Sequence, residues 1–190
     1  MRLLLAGFTV ALLTTVVAAQ SPARPAPTKA AASPAPKPTG TLAQVMRGIY
    51  FPNANLIFDV QQHDPGAPKP KTPSSGSSTD TYSSAYSAWE VVENAAVALT
   101  DGVDLILKPG RSCQNGKPVP VTQPDFQKFA REMREAGRVA LQAAKTRNQE
   151  KVSDATNNIA DACSNCHEVY RDKGPADSPA RCTPPKTAGR

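Results

Sequence analysis

The side chains best suited to chemistry lie in one short run near the C-terminus, Cys163-Ser-Asn-Cys166-His167. The spacing C-x-x-C-H is the attachment signal for a c-type haem: two thiols add across the vinyl groups, and the imidazole becomes an iron ligand. On a helix the three side chains lie at i, i+3 and i+4 and therefore share one face. The sequence predicts one covalently attached haem c, held by Cys163, Cys166 and His167.

Two other kinds of site use a Cys-x-x-Cys pair, and the rest of the sequence favours neither. A thioredoxin-type redox pair follows a strand in a βαβ unit, and a structural zinc site needs four ligands. The only other histidine is His63, and no second closely spaced pair of ligands accompanies it. Haem attachment is therefore the favoured interpretation.

The N-terminus predicts export. Residues 1–19 combine Arg2, an apolar run from Leu3 and small residues at positions 17–19, which is typical of a signal peptide cleaved after Ala19. A membrane anchor is the rival interpretation, but a spanning helix usually needs about 20 apolar residues and this run is shorter. We expect a periplasmic or otherwise exported protein, in a compartment where c-type haem is attached and disulfides persist.

The mature chain is predicted to hold one domain after a spacer. Residues 20–40 are rich in proline and alanine and form a disordered linker, which leaves residues 41–190 as a domain of ordinary size. The formal net charge is +6, without a basic patch interleaved with aromatic residues. This mild excess suits a partner with an acidic surface, and we expect no nucleic-acid binding.

Apolar residues recur with helical spacing in four segments, and no segment alternates as a strand does. The predicted helices cover about residues 41–62, 83–107, 123–147 and 149–172, with a Pro/Ser-rich loop at 63–82. Pro52 is expected to kink or split the first helix. The predicted fold class is all-α, an antiparallel four-helix bundle with a C-terminal c-type haem motif.

Bundle geometry brings the remaining two cysteines together. The turn before the fourth helix is short, so the third and fourth helices must run in opposite directions. Cys113 precedes the third helix and Cys182 follows the fourth, so both lie at one end of the domain. We expect a Cys113–Cys182 disulfide, and two unpaired thiols are the alternative.

The same geometry ranks ligands for the far side of the iron. In an up-down-up-down bundle Met46 and His167 lie at matching depths, each about 7 Å from a helix end, whereas Met133 is deeper at about 12 Å. His63 would face the haem only if the first two helices were parallel. Met46 is the favoured ligand, and a far side without a protein ligand stays open.

A single C-x-x-C-H near the C-terminus of a helical domain, continuing as Cys166-His-Glu-Val-Tyr-Arg171, resembles the class II c-type cytochromes, the cytochrome c-prime group. The resemblance covers about Thr41 to Arg171. It implies a left-handed antiparallel bundle around one haem, five-coordinate in gas-binding members and six-coordinate where the first helix supplies a methionine. Met46 occupies the position that matches this methionine.

Two functions follow as expectations. The first is one-electron transfer, with His167 and Met46 on the iron and a redox protein as partner. The alternative is a five-coordinate haem protein that binds NO or CO. An enzyme such as a peroxidase would need a polar distal group, which only a relocated His63 could supply, so we expect no enzymatic activity. An apolar helix face wide enough for a core also allows a homodimer.

Overall fold

The computed structural model describes residues 36–68, 78–79 and 86–184. The predicted signal peptide, residues 20–35 of the predicted linker and most of the predicted 63–82 loop lie outside these ranges. The described part contains helices and no strand, which confirms the all-α fold class. No helix within it is both long and apolar enough to cross a membrane.

The first helix, α1, changes its hydrogen-bond pattern along its length, through the consecutive segments Leu42–Val45 (α), Met46–Tyr50 (π), Phe51–Phe58 (α) and Asp59–Gln61 (3₁₀). In the π turn the N–H of Phe51 donates to the Met46 carbonyl, five residues back. Pro52 has no N–H, and here it occupies the first turn of the following α segment, where none is needed. The irregularity expected at Pro52 is therefore a π turn just before it.

The other three helices are more regular. Helix α2 consists of Ala88–Asp101 and, beyond Gly102, Val103–Ile106; α3 is Pro124–Lys145 and α4 is Gln149–Tyr170. Helix α2 starts later than the predicted residue 83, because Ser87 and Glu90 form a capping box that fixes its first turn. Pro124 begins α3, and the Asn148 side chain caps α4 by accepting from the Lys151 N–H at 2.9 Å.

Side-chain contacts join neighbouring helices at several points. At the α1–α2 contact, the Tyr50 hydroxyl donates to the Leu99 carbonyl at 3.2 Å. The end of α1 meets the start of α4, where the Gln149 amide donates to the Val60 carbonyl at 2.9 Å. The start of α3 meets the end of α4, where the rings of Phe126 and Tyr170 pack edge to face with centroids 5.1 Å apart.

A buried cation fixes the start of α1. The Arg111 side chain is only 4% exposed, and its guanidinium donates to three backbone carbonyls, those of Leu105, Thr39 and Gly40, at 2.8–3.0 Å. The Leu105 carbonyl lies in the last turn of α2, where a cation is favourable for the helix dipole. The chain before α1 is thereby attached to the end of α2.

Small residues bring α2 and α3 close together at Gly137. A Cβ atom at Gly137 would lie 2.6 Å from the Thr100 hydroxyl and 3.0 Å from the Thr100 nitrogen. Gly137→Ala should therefore force the helices apart and lower the free energy of unfolding by about 1–3 kcal/mol. Gly48→Ala is the matched control, because a Cβ there meets nothing within 4 Å and alanine favours a helix. Urea titration of both variants tests this; equal stabilities would contradict it.

A second prediction concerns the hydrogen bond that joins α3 to the last turn of α4. The Tyr170 hydroxyl donates to the Asp125 carboxylate at 2.7 Å. Burial, together with this bond, raises the pKa of Tyr170. Tyr170→Phe should lower the free energy of unfolding at pH 7 by about 1–2 kcal/mol, since only the hydroxyl is lost.

The effect should also depend on pH. Because the pKa of Tyr170 is raised in the folded state, its contribution is complete below the unfolded-state pKa of about 10 and falls as the pH rises above it. The stability difference between wild type and Tyr170→Phe should therefore shrink in alkaline urea titrations. Tyr86→Phe, at an exposed tyrosine, is the control. A Tyr170→Phe protein as stable as wild type at pH 7 would rule out the bond's contribution.

Candidate functional site

A cavity of about 570 Å³ lies between the helices at the end of the domain where α1 begins and α4 ends. Its volume is within the range of roughly 300–1,000 Å³ that is usual for cofactor and ligand pockets. All four helices contribute apolar side chains to its wall, among them Leu42, Met46, Phe58, Leu99, Ile106, Phe126, Phe129, Met133 and Ile159. The cavity therefore suits a large apolar ligand.

The three residues of the C-x-x-C-H run line this cavity together. Cys163, Cys166 and His167 are all half-buried on α4, and neither thiol is in a disulfide. Helix α4 is uninterrupted through them, so their spacing of i, i+3 and i+4 puts them on the face that looks into the cavity. The arrangement brings two free thiols and one imidazole to one apolar space.

The surroundings disfavour the charged forms of these groups. Burial raises the pKa of Cys163, and burial together with the nearby Cys163 raises the pKa of Cys166 to about 12. Burial, with the neighbouring Arg171 guanidinium, lowers the pKa of His167. A neutral imidazole has a free ring nitrogen and is the form that binds a metal.

These residues fit a haem of the c type. The cavity has the size, the apolar wall and both thiols on the same side as a nitrogen ligand. The thiols can hold the porphyrin edge through thioethers, and His167 can bind the iron from the α4 side. Among the described residues, no group of three or more His, Cys, Asp or Glu side chains could hold a bare metal ion.

Two methionines line the cavity from other helices. Met46 is half-buried at the start of the π turn of α1, and Met133 is buried on α3. Both were ranked from the sequence as candidates for the far side of the iron. His63 does not line the cavity; its Nδ1 atom is 2.9 Å from an Asp59 carboxylate oxygen, beyond the far end of α1.

Two buried aromatic residues, Tyr170 and Trp89, differ in their position relative to the cavity. Tyr170 lines the cavity, whereas Trp89 is buried elsewhere in the core. Tyr50, which sequence periodicity did not single out, also lines the cavity. Val45 and Tyr50 are five residues apart. Both side chains can face inward only because the chain between them forms a π turn.

The segment after α4 closes one side of the cavity. The structure joins Cys113 and Cys182 in a disulfide, with Cα atoms 6.5 Å apart and a sequence separation of 69. Both cysteines line the cavity, and so do Ala176 and Arg181 of the same segment. Sequence reasoning paired the two cysteines but did not assign Arg181 to the site.

The charged residues at the cavity are all basic. Arg47, Arg171 and Arg181 line it in addition to His167, and no aspartate or glutamate of the described residues is among the lining side chains. The Arg171 guanidinium is paired with the Asp172 carboxylate, at 2.6 and 3.2 Å. A ligand that is apolar at its centre and anionic at its edge suits this arrangement.

One comparison with known proteins finds a family. Residues 119–171, which span α3, α4 and the whole C-x-x-C-H run, match the family model described as Cytochrome C'. No curated protein and no solved structure was found to match the chain. The match implies a haem cofactor, and it confirms the resemblance of this chain to the class II c-type cytochromes.

Proposed function

We propose that the protein is an exported mono-haem c-type cytochrome that transfers single electrons, with His167 and Met46 on opposite sides of the iron. The observation that carries this proposal is that Met46 of α1 lines the same cavity as Cys163, Cys166 and His167 of α4. In this proposal the four helices form an antiparallel bundle around one covalently attached haem c. The bound haem supplies the redox chemistry.

The protein's own contribution is to hold and tune this group. Two thioethers keep it in place in both oxidation states, and the apolar wall excludes water from the iron. A methionine opposite a histidine favours the reduced state, because a thioether is a soft ligand without charge. Met46 lies near the start of α1 and is only half-buried. The cavity edge beside it would therefore be accessible to a redox partner.

Gas binding is the second candidate, and one observation favours it. The cavity wall that α1 contributes is largely apolar, and Leu42, Met46 and Phe58 belong to it. A five-coordinate iron with such a wall would accept NO or CO and reject charged ligands. Met46 would then line the pocket without binding the metal, as methionines of helical cores usually do.

The remaining expectations belong to the same proposal. Among the described residues, no carboxylic acid lines the cavity and His63 lies elsewhere, which supports a carrier rather than a haem enzyme. The predicted signal peptide and the Cys113–Cys182 pairing support export. A redox protein with an acidic surface is the expected partner, and helix faces outside the core leave room for a homodimer.

The test of the proposal compares two methionines that line the same cavity. Met46→Leu should replace the low-spin spectrum with a high-spin one, remove the methionine-to-iron band and lower the reduction potential, because the sixth ligand is lost. Met133→Leu is the matched control, with the same change on α3, and should keep the wild-type spectrum. The measurement is the optical spectrum of the purified protein, oxidised, reduced, and reduced with CO.

The outcomes separate the candidates. A wild-type protein that is high-spin and shifts with CO, and that Met46→Leu leaves unchanged, is a gas-binding haem protein. A spectral change in Met133→Leu but not in Met46→Leu would assign the ligand to α3. Absence of haem absorption from protein exported in cells that mature c-type cytochromes would refute haem attachment itself.

A further inference from the structure

Residues 171–184, called here the strap, follow α4 and are held by several bonds. Besides the disulfide, the Cys182 N–H donates to the Tyr170 carbonyl at 2.9 Å. The Asn115 side-chain amide donates to the carbonyls of Ser178 and Arg181 at 2.8 and 3.0 Å. The Lys117 ammonium donates to the Pro179 carbonyl and, at 2.9 Å, to the Thr183 hydroxyl. The strap is thus attached to the segment between α2 and α3.

The backbone of Cys182 indicates how firmly the strap is held. Its φ of +57° lies in the left-handed region, which residues with a side chain seldom adopt. Such a conformation persists only where the surrounding contacts determine it. Here the disulfide and the bond to the Tyr170 carbonyl fix the residue directly after Arg181.

Arg181 has unused hydrogen-bonding capacity at the cavity. Its Nε and one terminal nitrogen donate to the Gly174 carbonyl at 3.0 and 2.7 Å, which fixes the guanidinium plane. The side chain is half-buried, lines the cavity and forms no ion pair with any carboxylate in the described part of the chain. Arg171 differs, because both oxygens of Asp172 already accept from it.

The Arg181 guanidinium interacts electrostatically with Asp172 but forms no ion pair with it, and a haem would bring carboxylates that can pair with it. The haem carries two carboxylates on one edge, and its opposite part would be tied to α4 by the thioethers. Arginine binds carboxylates through planar, charge-assisted hydrogen bonds, which are the stronger kind. Within the described ranges the cavity is lined by basic residues and by no acid, which favours a ligand that carries carboxylates.

We propose that the strap is part of the haem site and that Arg181, held in position by the Cys113–Cys182 disulfide, binds a haem carboxylate. This inference rests on the proposed function, since it requires an attached haem. Arg181 raises the reduction potential, because reduction adds one negative charge to the site and a nearby guanidinium stabilises it. The disulfide acts by holding Arg181 at the cavity.

The test uses the haem-loaded, exported protein. Arg181→Gln should lower the equilibrium constant for reduction by a fixed reference couple about five-fold, because the positive charge that stabilises the added electron is lost. Arg181→Lys keeps the positive charge without the planar pair of donors. Its equilibrium constant for reduction should lie between those of wild type and Arg181→Gln. Spectroelectrochemical titration at high salt, which screens exposed charges, measures these changes.

Two further variants separate this role from a structural one. Lys117→Gln removes a cation that also holds the strap but does not line the cavity, and it should leave the reduction equilibrium unchanged. The double variant Cys113→Ser/Cys182→Ser should lower the equilibrium constant as Arg181→Gln does. Adding Arg181→Gln to that double variant should then change it little, because coupled residues are not additive.

The results also distinguish this inference from the proposed function. A protein without haem absorption would refute the proposed function. Three results with a haem-bearing protein would overturn the role of Arg181 and leave the cytochrome assignment in place. Arg181→Gln could have the same reduction equilibrium constant as wild type, or Lys117→Gln could lower it as much as Arg181→Gln does. The effects of Arg181→Gln and of the disulfide variant on this constant could also be fully additive.

Discussion

The arrangement depends on one face of α4 being directed inward. Val152, Ala155 and Ile159 bury that face in its first half, and Cys163, Cys166 and His167 continue it toward the C-terminus. The first half packs tightly, whereas the second half borders the cavity. A helix with a continuous apolar stripe thus changes from core packing to lining a cavity without any change in its own geometry. The neighbouring helices make the difference, since they leave a space at that end.

Helical periodicity predicts most of this from the sequence. The apolar stripes identify four helices, and the spacing of Cys163, Cys166 and His167 predicts a shared face. Helix boundaries are harder to predict from apolar spacing where a cap decides them. Helix α2 begins after Ser87, although apolar spacing alone extends the prediction back to residue 83. The capping signal of Ser87 and Glu90 is nevertheless present in the sequence, three residues apart.

Other features have no periodic signal. Arg111 is buried because its guanidinium donates to the nearby Leu105 carbonyl and to the sequence-distant carbonyls of Thr39 and Gly40, and no local pattern encodes such a meeting. Arg181 reaches the cavity through turns and a disulfide, which follow no helical repeat. Chain direction predicts the pairing of Cys113 with Cys182. It does not predict that Arg181, next to Cys182, lines the cavity. Side chains at the site therefore divide into those placed by helices and those placed by long-range bonds.

The π turn of α1 joins these two groups. The buried residues Val45 and Tyr50 are five positions apart, so a regular α-helix would turn one of them away from the core. The extra residue lets both face inward and also keeps Met46 at the cavity. Because the π turn ends at Tyr50, Pro52 lies in the first turn of the next α segment, where its missing N–H costs no hydrogen bond. Arg111 holds the chain at Thr39 and Gly40, just before α1, and Pro52 follows the π turn. The position of Met46 between them is therefore fixed from both ends. A rigid approach of this kind matters more for a metal ligand than for a residue that only fills space, because a bond to iron tolerates little displacement.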